Sequence, residues 1–286
     1  MFGFLNVNKP KGMTSHDVVA KLRRILKIKQ IGHAGTLDPL ASGVLPIAVG
    51  KSTRLIEYFS DEKAYKVTLA LCKTSNTCDV EGEIVDHPFK FVSEEEFCAA
   101  TKEFIGDITQ IPPAHSAVHY NGKRLYELAR KGIIPDDIPA RKVAVSKIVV
   151  DSFNCEKGLA VLDIDCSKGT YIRSIVRDLG NVLGVGAVMT DLVRTASSSF
   201  ALSNSLCLTP DLDYSFLQNS LINPLEVLSY NQKTLSVEEL QKVKNGQSLS
   251  GNCYNASELI SLTYEGKLVA IAESDNEFLK IKKVFL

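Results

Sequence analysis

The stretch GHAGTLDPLASGVLPIAVGKST, residues 32–53, is rich in glycine and proline and contains a single carboxylate, Asp38. It ends in Gly50-Lys51-Ser52, which is also the ending of a phosphate-binding loop. Two interpretations therefore compete. Either the glycines cradle a nucleotide phosphate, or the stretch is built to present Asp38.

The phosphate-loop interpretation depends on where the first glycine stands. A GxxxxGK[ST] loop needs a glycine five positions before Gly50, and Leu45 occupies that position. The next residue, Pro46, has no N–H group to donate to a phosphate. Such a loop cannot wrap a phosphate with its backbone, so the spacing excludes a nucleotide-binding loop here.

Asp38 is the other candidate for chemistry. Pro39 biases it towards an extended backbone, and the flanking glycines allow the sharp turns of a rigid loop. An Asp-Pro pair can simply close a turn through its own side chain. However, the nearest other acids are Asp17 and Glu57, so no local carboxylate pair or metal cage is indicated. The surroundings are basic and favour an ionised carboxylate.

The charge distribution points to a polyanionic partner. The 286-residue chain has a net charge of zero, but residues 1–55 contain nine Lys and Arg against two acids. Residues 121–147 contain seven basic residues against three acids, whereas residues 56–100 contain ten acids against four bases. Such segregation favours a nucleic acid as the partner.

Several classes of protein are disfavoured by composition. The seven cysteines are odd in number and scattered without a CxxC pair, which predicts a reduced, cytoplasmic protein without a zinc knuckle. His115 and His119 lack the glutamate of an HExxH metal site. No apolar run is long enough to span a membrane, and no secretory signal is visible at the N-terminus. We therefore expect no metal and no membrane association.

Hydrophobic periodicity predicts an α+β chain. A strand over 4–8 leads into a helix that ends at Lys27 and has Thr14-Ser15 as its N-cap, and Ser52-Thr53 is expected to cap a second helix. Residues 201–232 are loop-rich and resemble a linker. Further strands are predicted at 65–72, 81–85, 145–150, 159–166, 187–193, 259–264, 267–272 and 279–285, with helices at 94–105, 236–244 and within 167–184.

At this point the motifs resemble those of the TruB family of pseudouridine synthases. The resemblance covers most of residues 1–200, in order, and extends more weakly to a C-terminal segment that is similar to a PUA-like domain. It rests on LNVNKPKGMTSHDVV, GHAGTLDPLASGVLP, AYKV, IPPAHSAVHYNGKRLYELARKGI, SKGTYIRSIVRDLG and DLVRT.

The resemblance implies a fold and a domain organisation. The expected fold is a mixed, largely antiparallel central sheet flanked by helices, followed by a small PUA-like β-barrel. A catalytic domain would cover residues 1–230, with an RNA-gripping insertion at about 108–142, and the PUA-like domain would cover residues 231–286.

The resemblance also implies the reaction. A monomeric enzyme would isomerise uridine 55 in the T loop of tRNA to pseudouridine after flipping the base, with no cofactor. A protein that binds and remodels tRNA without catalysis is the alternative, and Asp38, Tyr65 and Arg173 together distinguish the two.

The matching positions carry family roles. Asp38 would be the nucleophile, or the base towards the C2′ proton; Arg173 would pair with it, and Tyr65 would stack on the uracil. The substrate-binding positions, which include two that brace the site, are His33, Tyr171, Leu192 and Lys9.

Overall fold

The computed structural model describes residues 1–251 and 253–286, which form a large sheet of ten strands and a smaller sheet of five. The strands are β1 (Phe2–Lys9), β2 (Ile31–His33), β3 (Ser42–Gly50), β4 (Glu62–Leu71), β5 (Lys73–Ser75), β6 (Ile84–Asp86), β7 (Gly106–Gln110), β8 (His119–Tyr120), β9 (Lys123–Arg124), β10 (Arg141–Asn154), β11 (Leu159–Ser167), β12 (Ala187–Ser197), β13 (Phe200–Ala201), β14 (Leu206–Cys207), β15 (Asn231–Thr234), β16 (Leu249–Ser250), β17 (Leu259–Tyr264), β18 (Lys267–Ser274) and β19 (Phe278–Val284). The α-helices are α1 (Ser15–Leu26), α2 (Glu94–Lys102), α3 (Leu125–Ala129), α4 (Ile172–Val182), α5 (Tyr214–Asn219), α6 (Pro224–Val227) and α7 (Val237–Lys244), and 3₁₀ helices cover Lys51–Tyr58 and Leu202–Asn204.

The large sheet has the strand order β14-β1-β3-β12-β4-β11-β10-β7, with β2 on β3 and β13 on β12. Within the described residues of this sheet, the β1–β14 and β3–β12 pairings are parallel and the other strand pairings are antiparallel. The predicted α+β fold with a mixed, largely antiparallel central sheet is therefore confirmed. The strand predicted over 81–85 lies at Ile84–Asp86, where it pairs with β5.

Helices α2 and α4 cover one face of the central strands. Alternate residues of β4 and β11, such as Leu69 and Ile164, form one apolar cluster with Phe97 of α2 and Leu179 of α4. All four are fully buried, and each such side chain contributes roughly 1.5–3 kcal/mol through the hydrophobic effect. This core supports the strands that carry the predicted site residues.

Helix α1 covers β1 and β3. Its start, its end and its buried face can all be explained by its local sequence. Thr14 is the N-cap and forms a capping box with Asp17, while Lys27 ends the helix in a left-handed conformation. Val18 and Leu22 repeat at helical spacing and pack on the sheet. The predicted helix is confirmed, although Ser15 lies inside it and turns its hydroxyl inward rather than capping.

Residues 42–50 form a strand that the sequence did not predict. The run GVLPIAV is buried along its whole length, as expected of a central strand, although a proline such as Pro46 is uncommon in one. The loop is therefore confined to residues 34–41, here called the Asp38 loop. Gly43 has φ +103°, and a Cβ there would lie 2.2 Å from the Arg194 carbonyl oxygen, so only glycine lets β3 approach β12 so closely.

Two other sequence predictions need correction. The helix after β3 is a 3₁₀ helix with Gly50 as its N-cap, and Thr53 donates its hydroxyl back to the Gly50 carbonyl instead of capping. Residues 201–232 are not a linker, because β14 pairs with β1 and Leu217 of α5 is buried against it. The sequence did not predict β14 and α5, because their apolar segments are short and lie between polar residues.

The five-stranded sheet has the order β15-β17-β18-β19-β16 and curls into a half-barrel, consistent with the predicted PUA-like domain. It shares an apolar cluster with the large sheet, in which Phe4 and Leu55 meet Ile271 and Phe285. Its first strand begins at Asn231. The division into catalytic and RNA-binding domains at residue 230 remains a prediction.

Candidate active site

The Asp38 loop connects β2 to β3 and ends in a tight turn. The Ala41 N–H donates to the Asp38 carbonyl over 3.1 Å, with Pro39 at the second turn position, where its fixed φ suits the turn. The Asp38 side chain is 35% exposed and therefore accessible at the surface, whereas the neighbouring Leu37 is buried. The loop thus presents its one charged group outward.

Buried donors from α1 and β1 hold this loop in place. The Ser15 hydroxyl accepts from the Leu37 N–H over 2.8 Å and donates to the Leu37 carbonyl over 3.1 Å. Lys9 is fully buried and donates to the carbonyls of Pro10, Met13 and Pro39. Burial lowers the pKa of Lys9 to about 8, although the nearby Asp38 charge opposes that shift. These hydrogen bonds are the contacts expected of a residue that braces the site, as predicted for Lys9.

Arg194 is the third residue that fixes the Asp38 loop, and the sequence did not indicate this role. It is fully buried on β12 and donates to three main-chain carbonyls, those of Gly35 over 3.0 Å, Thr36 over 3.5 Å and Val44 over 2.7 Å. Within the described residues its guanidinium has no carboxylate partner. Its charge is therefore neutralised by backbone dipoles of the loop that carries Asp38.

Arg173 contacts Asp38 directly. Its Nη2 lies 2.9 Å from the Asp38 Oδ2, and the Arg173 side chain is only 6% exposed. The same nitrogen donates to the His115 carbonyl over 3.0 Å, while Nη1 donates to the Thr77 carbonyl over 3.0 Å. Helix α4 positions Arg173 near its start, as the motif predicted. The contact compensates the charge of Asp38 with a group that stays protonated.

A second carboxylate, Asp79, shares Arg173 and was missed by sequence reasoning. Asp79 is buried, and its Oδ2 lies 3.4 Å from the Arg173 Nη1. Its Oδ1 accepts from the Thr77 hydroxyl and from the Glu81 N–H. Burial raises the pKa of the Glu81 carboxyl, and the charges of Asp79 and Asp38 raise it further. In the sequence, Asp79 looked like part of an acidic surface stretch.

Tyr65 and Leu192 lie on adjacent strands beside the Asp38 loop. Both belong to the apolar cluster that includes Leu37, and Tyr65 stands opposite Arg194 in the β4–β12 register. Burial raises the pKa of the Tyr65 hydroxyl, although the charge of Arg194 opposes that shift. The structure therefore brings Asp38, Arg173, Tyr65 and Leu192 to one end of the sheet.

Tyr171 and His33 flank this group. Tyr171 is the N-cap of α4, and its backbone N–H and carbonyl pair with the buried amide of Gln110, which fixes the start of the helix. His33 is at the end of β2, where burial and then the charge of Arg194 lower its pKa. Its Nδ1 is buried and has no hydrogen-bond partner in the described residues.

No metal site or membrane helix accompanies this arrangement in the described residues. No three His, Cys, Asp or Glu side chains there are grouped so that they could hold a metal ion. Within residues 1–251 and 253–286, no helix is sufficiently long and apolar to cross a bilayer.

Comparisons with known proteins identify this architecture. A model described as the N-terminal domain of TruB family pseudouridylate synthases matches residues 23–172, and one described as the tRNA pseudouridylate synthase B C-terminal domain matches residues 173–228. The fold is therefore that of a pseudouridine synthase. The boundary between the two matches falls at the start of α4, within the large sheet and its helices.

Relatives support the same assignment. The chain is 44% identical to tRNA pseudouridine synthase B of Heliobacterium mobile over 95% of this chain and 90% of that protein. It is 49% identical to the protein of that name from Gloeothece citriformis, over 87% of this chain and 82% of the other. The chain belongs to the TruB family.

Solved structures are similar over the whole chain. A Cbf5–Nop10–Gar1 complex contains a chain that is 27% identical, with a TM-score of 0.75 over 100% of this chain and 85% of that one. An H/ACA ribonucleoprotein bound to a substrate RNA containing 2′-deoxyuridine gives a TM-score of 0.74 at 25% identity, again over 100% of this chain and 85% of the other.

Proposed function

We propose that this protein is a tRNA pseudouridine synthase that isomerises uridine 55 in the T loop of tRNA. Membership of the TruB family and the name shared by its relatives support this activity. The observation that carries the proposal is the 2.9 Å contact between Arg173 and the accessible carboxylate of Asp38, beside Tyr65 and Leu192. A protein that only bound tRNA would not need this arrangement.

The reaction is an internal rearrangement of one nucleotide. The N1–C1′ bond breaks, the uracil turns, and a C5–C1′ bond forms; C5 then loses its proton, and N1 gains one. No electrons are transferred to or from the substrate, so no redox cofactor is required. Asp38 is the proposed nucleophile, and attack on C1′, attack on C6 and removal of the C2′ proton all use the same carboxylate.

The side chains around Asp38 have complementary roles. Arg173 orients the carboxylate and balances its charge in a site from which the base excludes water. The ring of Tyr65 stacks on the flipped uracil, and its hydroxyl is placed towards the proton that leaves C5. Leu192 provides an apolar wall. The burial of Tyr65 fits a group that presents a flat surface rather than a charge.

Contacts outside the pocket select the RNA. His33, at the entrance to the Asp38 loop, contacts the displaced region of the T loop, and Tyr171 and Lys9 maintain the pocket that receives it. The insertion grips the stem. Strand β7 ends at Gln110 and β10 begins at Arg141, so its connecting part covers residues 111–140, within the predicted 108–142.

The protein's assembly state and location follow from the same chemistry. A monomer acting on the tRNA T stem-loop without a cofactor is proposed, because an internal rearrangement of one nucleotide consumes no second substrate and transfers no electrons. The seven cysteines are free, which supports a reducing, cytoplasmic location.

Release of the C5 hydrogen tests the function. T stem-loop RNA labelled at C5 of its uridines is incubated with the wild-type protein and with Asp38→Asn, and the released label and RNA binding are measured. We expect release from the wild type, and in the variant abolished release with nearly unchanged binding, because the substituted amide cannot act as the nucleophile. Binding without release by the wild type would instead indicate a tRNA-binding protein, and retained turnover in Asp38→Asn would exclude Asp38 as the nucleophile.

A further inference from the structure

Lys63 reaches the Asp38 loop from the strand that carries Tyr65. The two residues are two positions apart on β4, so their side chains lie on the same face of the strand. The end of the Lys63 side chain packs against the loop, because a Cβ built on Gly35 would lie 3.3 Å from its Cε and 4.0 Å from its Nζ. The ammonium group therefore lies at the rim of the site.

The Lys63 ammonium group is unpaired in the part of the chain that the structure describes. Within the described residues, Nζ of Lys63 makes no hydrogen bond and has no carboxylate oxygen within 4.0 Å. The acid next to β4, Asp61, is held by Lys168 at 2.8 Å. Lys63 is half-buried, so its charged group is partly removed from water. This burial lowers the pKa of Lys63, and the charge of Arg194 lowers it further.

The other cations at the site are satisfied by the protein. Lys9 and Arg194 donate to main-chain carbonyls, and Arg173 donates to carbonyls and faces two carboxylates. A partly desolvated cation without a partner is costly, and an incoming anion removes that cost. Lys63 thus has the properties of a group that is completed by its ligand.

We propose that Lys63 binds a backbone phosphate of the RNA immediately beside the flipped uridine. The inference rests on the proposed function, because the anions that RNA offers are its phosphates and the reacting ribose has one on each side. Lys63 shares a strand face with the residue that stacks on the uracil, and its ammonium group acts as a point charge that needs no planar, two-pronged acceptor. It would hold the backbone of the target nucleotide while Asp38 acts on the sugar or base.

The same strand provides a matched control. Lys66 lies three positions along β4 on the opposite face, where its Nζ is 3.0 Å from carboxylate oxygens of both Asp151 and Asp163. Its charge is already compensated and it faces away from the Asp38 loop. Lys66→Met therefore removes a lysine from β4 without removing a free cation.

The experiment uses T stem-loop RNAs in which one phosphate, 5′ or 3′ of the target uridine, is replaced by an uncharged methylphosphonate. Binding is measured in the Asp38→Asn background so that the RNA is not converted. We expect one of the two neutral linkages to weaken binding about tenfold, and Lys63→Met to weaken binding of unmodified RNA by a similar factor. Combining the two changes should cause no further loss, whereas Lys63→Arg should retain binding and Lys66→Met should retain both binding and the linkage effect.

Two outcomes overturn the assignment. One is binding that is insensitive to both neutral linkages, a result that needs no Lys63 variant and so does not depend on that variant folding. The other is multiplicative losses from Lys63→Met and from each linkage. Failure of the proposed function is recognised separately, because the wild-type protein would then release no C5 hydrogen from unmodified RNA, whatever the linkage effects.

Discussion

The Asp38 loop and the insertion differ in where their cations lie: those that hold the loop are buried, and those of the insertion are exposed. The loop is held from inside by Ser15, Lys9 and Arg194, all buried, and exposes one carboxylate. Between residues 123 and 142 of the insertion, by contrast, six Lys and Arg residues are exposed, and none forms an ion pair within the described chain. Buried cations fix geometry, whereas exposed, unpaired cations can exchange water and counterions for phosphates. The loop should therefore govern the rate of reaction, and the insertion should govern RNA affinity.

The two regions meet at Arg173. One of its nitrogens contacts both the Asp38 carboxylate and the carbonyl of His115, which lies in the insertion. Ser174 and Arg177 donate to the Ile111 carbonyl in the same segment. The insertion is therefore fixed to α4 at its base, and changes near Arg173 test whether the rate and affinity functions can be separated.

Asp79→Asn should have the largest effect among the tests of this comparison. Asparagine can still accept from the Thr77 hydroxyl but leaves Arg173 with Asp38 as its remaining carboxylate partner. We expect kcat to fall about 10²-fold through misplacement of the Arg173–Asp38 pair, with little change in RNA affinity. Rapid-quench measurement of pseudouridine formation provides the rate. Asp178→Asn, which breaks an ion pair with Arg177 on the same helix, is the control, and an equal loss in both variants would contradict a specific role for Asp79.

Ser15→Ala should slow the reaction by about 10- to 100-fold without changing RNA affinity. The substitution leaves the buried N–H and carbonyl of Leu37 without their side-chain partner, which frees the residue next to Asp38. We also expect a loss of about 1–3 kcal/mol in the free energy of unfolding, measured in urea.

Ser146→Ala is the control for that measurement, since Ser146 is exposed on β10 and its hydroxyl donates a similar hydrogen bond to the Asp165 carbonyl of β11. Unchanged kcat in Ser15→Ala would show that the loop keeps its geometry without this clamp.

Neutralising the insertion should raise KM and leave kcat unchanged. In a double variant, Lys123→Gln with Lys131→Gln, we expect KM to rise roughly tenfold at about 0.15 M salt. The slope of log affinity against log salt should become shallower by about 0.7 to 0.9 for each phosphate contact that is lost. Lys102→Gln, on the acidic helix α2, is the control. A change in kcat with constant KM would reverse the division of roles proposed above.

The smallest expected effect concerns stability and pH at Lys9. Its pKa is about 8 in the folded protein against 10.5 for an ordinary lysine, so between these values the unfolded chain binds more protons. The Lys9 contribution to the free energy of unfolding therefore rises as pH increases through this window and is lost as pH falls below it. Urea unfolding at about pH 7.5 and about pH 9.5 should show the wild type gaining stability relative to Lys9→Met at the higher pH. A pH-independent difference would mean that Lys9 is not perturbed by burial.

The sequence predicted those parts of the fold that have strong local patterns. Helix α1 follows from its periodicity and capping box, and β4 and β11 follow from their alternation. Strand β3 was missed because a continuous apolar run containing Pro46 has no period, and β14 was missed because its pairing with β1 spans almost 200 residues.

The site residues, too, were predictable only where a local sequence motif marks them. Asp38, Tyr65 and Arg173 could be placed through motifs, and the structure brings Asp38 and Arg173 into contact. Arg194 looked like any basic residue on a strand, because its acceptors are 150 or more residues away. Sequence also overestimated the basic face of residues 1–55. Six of the nine cations there contact groups within the protein; these are Lys9, Lys11, Lys21, Arg23, Lys51 and Arg54.

The apolar cluster between the two sheets has a consequence for how the chain folds. The ring of Phe285 stacks on that of Phe2 with centroids 5.6 Å apart, and Arg54 lies over the same Phe285 ring. During synthesis, β1 emerges early but cannot complete this packing until the last strand has left the ribosome. The sheet that carries the Asp38 loop should therefore become fully protected from hydrogen exchange only late, when β1 and the segment around Phe285 have come together.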